Sequence, residues 1–250
     1  MRGYRRLTGS LALSQLREPV GFFFTLIFAP ALVVVLGLIF GNEPNPDFGG
    51  VGYITKTLPA FASLVLAITG VMVMPQQQLQ LRETGALTRL RVTPLKPSTW
   101  IAADLTVNFV LGMLGMVLAL AVGVIGFGVD LPQRIGSVLA ASALGLVAFL
   151  ALGYLLAAVY PSVGASVGIG NVLMILLMMT SGAFVPLAVL PEGVQRVIAF
   201  SPIHHFVELT SGLWNGGTWG EHLDAVLVLV GMTVVCGALG VWLFRWAPKR

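Results

Sequence analysis

Of the 250 residues, 57% are hydrophobic and only 10% are charged, with a mean hydropathy of +0.93. Ordinary soluble domains carry charge on about 25% of their residues, so this balance excludes one and places the chain in a bilayer. The net charge of +4 comes from Lys and Arg divided among short segments with no nucleic-acid reading motif, which sets nucleic acid aside as a partner.

Charge-free intervals at 19–42, 57–81, 105–129 and 225–244 each have room for one helix, because about 20 apolar residues cross the hydrocarbon core. The interval 135–191 holds 57 uncharged residues and must fold back once, and Tyr160-Pro161-Ser162-Val163-Gly164 supplies a turn near its middle. The expected fold is an all-α integral membrane domain over 1–250. Its six spans are predicted at about 20–40, 57–75, 103–127, 136–158, 165–187 and 225–245.

In chain order, residues 4–17 come first. Leu7, Leu11 and Leu16 among Arg, Ser, Thr and Gln, with Pro19 just beyond, predict a short amphipathic helix in the membrane interface. The apolar run Val20 to Phe40 exceeds the 7–15 residues typical of a secretory signal core, and no small-residue cleavage site follows, so it is expected to stay as a span. Pro30 removes a backbone hydrogen bond within it and predicts a kink. Residues 41–56 read as a surface loop.

Residues 76–100 separate the second and third spans and carry the charged run Arg82-Glu-Thr-Gly-Ala-Leu-Thr-Arg-Leu-Arg-Val-Thr-Pro-Leu-Lys96. A membrane protein that keeps such a loop exposes it to something soluble: Leu87 and Leu90 suit a groove, and Arg82, Glu83, Arg89 and Arg91 suit fixing register by charge. Asp104 reads as a helix-end charge facing the interface. Small residues four apart, Ala119 with Gly123, Ala141 with Gly145 and Gly164 with Gly168, predict close helix approach. Beyond the fifth span, Pro186, Pro191 and Pro202 divide the chain into pieces too short to cross, so 191–200 and 203–214 are predicted as short helices on or within one leaflet. Trp214 and Trp219 are expected at headgroup depth. Cys236 reads as a small buried apolar residue.

Eleven Lys and Arg fall at the N-terminal segment, the 82–96 loop and the C-terminal segment, against three (Lys56, Arg134 and Arg196) on the other side. The positive-inside rule then places both termini in the cytoplasm. No Gly-x-x-x-x-Gly-Lys-Ser/Thr loop is present to cradle a nucleotide. His204, His205 and Glu208 lack the spacing of a zinc-protease helix and read as a polar interfacial cluster; no metal or catalytic residue is assigned. No paired acids lie at membrane depth, where the polar residues are Thr69, Asn108, Asn171, Thr180 and Ser181, which disfavours an ion-coupled transporter and a membrane enzyme.

Two segments carry a resemblance. The 82–96 run resembles the loop after the second span of ABC-2-type transporter permeases, where Arg-Glu-Lys/Thr-Gly-Thr-Leu-Glu-Arg-Leu leads into Thr-Pro-Leu. The stretch from Ser181 to Phe206, Ser-Gly-Ala-Phe-Val-Pro with later Leu-Pro and Ser-Pro steps, is similar to the outer segment of the same family. The resemblance implies an exporter of two permease subunits and two ABC ATPase subunits in a bacterial plasma membrane. ATP and Mg are then bound by the ATPase, with no cofactor on this chain. It further implies ATPase coupling through Arg82, Glu83, Thr84, Gly85, Leu87, Arg89 and Leu90, and a path between subunits lined by the second and fifth spans. Thr69, Met72, Asn171, Met174, Met178 and Ser181 are the candidate lining, and the methionines offer flexible, polarizable contact for an apolar or amphipathic substrate. The alternative is a non-transporting membrane scaffold that docks a cytosolic partner.

Overall fold

The computed structural model describes residues 2–44, 46, 50–86, 97–182 and 191–243. Nine helices organise them: α1 (Arg2–Arg17), α2 (Phe23–Phe40), α3 (Tyr53–Glu83), α4 (Pro97–Phe127), α5 (Ile135–Val159), α6 (Val163–Thr180), α7 (Glu192–Ile198), α8 (Pro202–Trp214) and α9 (Trp219–Trp242). Six of them, α2 to α6 and α9, are long and apolar enough to cross a membrane. The chain is a multi-pass, all-α membrane protein.

The spans sit where uncharged sequence permits, but the fifth ends at Thr180 instead of near 187, the second begins at Tyr53 within the expected 41–56 loop, and the loop after the second is shortened. Residues 76–83 belong to the second helix, and the third begins at Pro97, so much of the expected 76–100 loop is helical. The helix continues past Pro75 because its missing N–H falls just after the π-helical turn Thr69–Val73, where the regular hydrogen-bond ladder is already shifted. Leu87, Arg89, Leu90, Arg91, Lys96, Pro186 and residues 244–245 lie outside the described residues.

Burial ranks the helices. Along its most apolar stretch α3 is 94% buried and α6 only 11%, so α3 is the axis and α6 packs on it by one face. Leu58, Leu64, Leu66, Ile68 and Met74 of α3 join Phe149 of α5 and Phe206 of α8 in one core. Hydrophobic exclusion of water does not drive helices together in lipid, so small residues and polar contacts must. A side chain at Gly153 on α5 would strike the Gly70 carbonyl of α3. Gly70 lies in a π-helical turn, Thr69–Val73, and a second such turn, Phe23–Ile27, begins α2. The expected small-residue contacts divide in the same way. Gly123 admits Leu58 and Gly145 admits the Phe206 ring, whereas Gly168 faces open space.

The amphipathic helix is present as α1, with Leu7 and Leu11 turned toward the core and Leu13 and Leu16 exposed. The two short helices also occur, as α7 and α8. Trp214 packs into the core and is 8% exposed. Cys236 is buried among apolar neighbours on α9.

Candidate functional site

Two adjacent residues at the end of α3 hold the turn between α5 and α6. Arg82 is 3% exposed, and its Nη2 donates to the Ala157 carbonyl at 3.0 Å, near the C-terminal end of α5. Glu83 Oε1 accepts the backbone N–H of Val163, the first residue of α6, at 2.8 Å. Each charge opposes the helix-end partial charge it meets, the cation at a C-terminus and the anion at an N-terminus. Ser162 completes the α6 cap by accepting from the Ala165 N–H at 3.2 Å. The expectation that Arg82 sits on a docking surface is therefore corrected: it is buried inside the subunit. Its guanidinium satisfies the Ala157 carbonyl, which α5 leaves open because the residue four positions on is Pro161, without an N–H.

Beyond this clamp, the exposed Thr84 and the half-buried Gly85 form a turn, in which Gly85 takes φ +71°, a left-handed conformation suited to glycine at a helix end.

The proposed path residues divide between two helices. Thr69 is fully buried, with its hydroxyl donating to the Val65 carbonyl at 3.0 Å, and Met72 is 7% exposed against Gly170 of α6. Met174 and Met178 are half-buried on the core side of α6, and Ser181 is buried just past its end, donating to the Met178 carbonyl at 2.9 Å. Only Asn171 is exposed among the six, on the face of α6 that also carries Val172 and Ile175. The structure thus brings Met72 beneath α6 but sets Asn171 apart from it.

A polar cluster absent from the sequence expectation joins α1, α3, α4 and α5. Asp104, placed at the interface by its sequence position, is 4% exposed, and its Oδ2 accepts from Gln78 Nε2 and Tyr154 Oη, both at 2.7 Å. Asn108, one turn further along α4, donates to the Asp104 carbonyl at 3.1 Å and accepts from Gln15 of α1 at 3.0 Å. Tyr4 and Thr106 share a hydrogen bond of 2.7 Å beside it. The four-residue spacing of Asp104 and Asn108 was a readable sign of a polar face within α4.

On the opposite end of the molecule, Glu208 is the centre of three histidines. His204 Nε2 and His205 Nδ1 lie 3.9 and 3.8 Å from its Oε2, and His222 Nδ1 lies 3.7 Å from Oε1. Burial lowers the His204 pKa from its ordinary value, with Glu208 opposing and His205 assisting that shift. No group of His, Cys, Asp and Glu among the described residues is arranged to hold a metal ion.

Comparison with known proteins agrees with this architecture. The protein "Putative transport permease YvfS" of Bacillus subtilis (strain 168) is 27% identical over 183 residues, covering 71% of each chain. A model of the family described as ABC-2 type transporter matches residues 4–213, from α1 through α8. Because that match takes in the interfacial helix, the first five spans and the two short helices beyond them, the chain belongs to the ABC-2 type transporter family, as a transport permease.

Proposed function

We propose that the chain is the membrane-crossing subunit of an ATP-driven exporter of hydrophobic or amphipathic compounds. It pairs with a second permease subunit and with two ABC ATPase subunits, which bind the ATP and Mg. The basic asymmetry of the sequence favours a bacterial plasma membrane with both termini, α1 and the end of α3 on the cytoplasmic side. The observation that carries the coupling role is the clamp. Arg82 and Glu83 join the loop that follows α3 to the start of α6, so a push on that loop moves the helix assigned to the substrate path. Thr84, Gly85, Leu87, Arg89 and Leu90 are left as the docking part. The weakly covered α6, with Asn171 between apolar side chains, supports a path at the junction with the second subunit.

Two variants co-expressed with the ATPase separate docking from transmission. Leu87→Asp removes an apolar anchor and is expected to weaken ATPase association by about tenfold or more. Glu83→Arg places a cation at the α6 N-terminus and is expected to spare association while abolishing substrate-stimulated hydrolysis. Unchanged association and transport in the double variant would reduce the loop to a topology anchor.

A further inference from the structure

A cavity of about 520 Å³ opens between α1, α3 and α4 beside the buried polar cluster. Such a volume accommodates a small organic molecule. Most of its wall area is carbon, from Leu11, Leu13 and Leu81 and from the stems of the nine polar or charged residues that also line it, among them Asp104, Glu18 and Gln77.

Their hydrogen-bonding states define what would fit. Asp104 Oδ2 already accepts two neutral donors, whereas no described residue donates to Oδ1 and no described Lys or Arg pairs with the carboxylate. A carboxylate this buried calls for a cation. Gln77 is 9% exposed, and its Nε2 has no partner, an amide donor left open in a site where an unmet donor is costly. Glu18 adds a second acceptor, and the exposed Arg17 lines the same cavity. Water could meet the polar groups, but it would leave the carbon surface of the leucines and of the polar side chains' stems uncovered.

We propose that this cavity binds an amphipathic organic cation, a primary or secondary amine on an apolar body. The ammonium donates to Asp104 Oδ1, a nearby carbonyl, sulfonyl or hydroxyl oxygen of the ligand accepts from Gln77, and the apolar body lies on the leucines. Charge matched to a desolvated carboxylate, with one additional hydrogen bond, makes the amine the discriminating feature. The site is separate from the α3–α6 path and does not rest on the export reading.

The test uses the full chain in lipid nanodiscs, with no ATPase, and the fluorescent amine dansylcadaverine against its neutral N-acetyl derivative. Protein-free nanodiscs correct for partition into lipid. Saturable binding of the amine is expected, at least about tenfold tighter than that of the acetylated probe, the loss that follows from removing one charge-assisted hydrogen bond. Asp104→Asn is expected to abolish that preference. Ser14→Trp fills the cavity from the exposed face of α1 and leaves every residue of the buried network unsubstituted, and it decides the matter if Asp104→Asn does not fold; it is expected to weaken amine binding by about tenfold. Equal affinity for the two probes, or Ser14→Trp binding the amine within about twofold of wild type, overturns the proposal.

Discussion

Arg82 and Glu83 are neighbours in sequence, yet one is buried and the other exposed, and both act on the same turn. The buried member has the larger energetic role. A hydrogen bond from a charged donor contributes about 1.5–3 kcal/mol, so Arg82→Met is expected to destabilise the purified chain by that order, read from its denaturation midpoint in detergent. An unchanged midpoint would mean the Ala157 carbonyl finds another donor. His204 makes a pH-dependent contribution of defined sign. Its folded pKa lies below its ordinary value of 6.5, so the unfolded chain takes up the proton first as the medium is acidified. The stability it contributes is complete above about pH 6.5 and is lost as pH falls toward the lower folded value. Melting compared at pH 7.5 and 5 should show a smaller acid loss for His204→Gln than for wild type. At this scale the sequence was least legible. Asp104 looks like an interfacial charge because its partners, Gln78 and Tyr154, lie 26 and 50 positions away and become neighbours only when α3, α4 and α5 pack.

At the scale of elements, charge-free length carried the reading well, since bilayer thickness alone sets how long an apolar helix must be. That same rule ends the second span too early. Gln76, Gln77, Gln78 and Gln80 count as polar, but Gln77 and Gln78 are buried against other helices, and α3 continues through them to Glu83. The π-helical turns had no local signal at all. One of them holds Gly70, and the close approach of its carbonyl to Gly153 makes that pair the tightest constraint between α3 and α5. Gly153→Leu must push the two helices apart, and overpacking of this kind costs about 1–3 kcal/mol. The expected result is a lower melting temperature and loss of monodisperse protein on size exclusion. Gly168→Ala is the matched control, because its new methyl group meets open space and should leave both readouts unchanged. A Gly153→Leu chain that melts like wild type would show that α3 and α5 can separate without cost.

For the whole molecule, six crossings return the chain to the face from which it started, so α1 and the loop after α3 share one side and α7 and α8 take the other. The proposed orientation puts the side richer in Lys and Arg, eleven against three, in the cytoplasm, since moving these cations across the membrane is opposed during insertion. The ATPase is a cytosolic partner in the proposed complex, so the orientation and the coupling role stand together. Labelling intact cells with a membrane-impermeant thiol reagent tests both, after Cys236→Ser removes the single native cysteine. Gly193→Cys, in the first turn of α7, is expected to react from outside, and Thr88→Cys only after the membrane is permeabilised. The reverse pattern would put the Arg82–Glu83 clamp and its docking loop outside the cell, beyond reach of any ATPase, and the transmission route through α6 would fail with it.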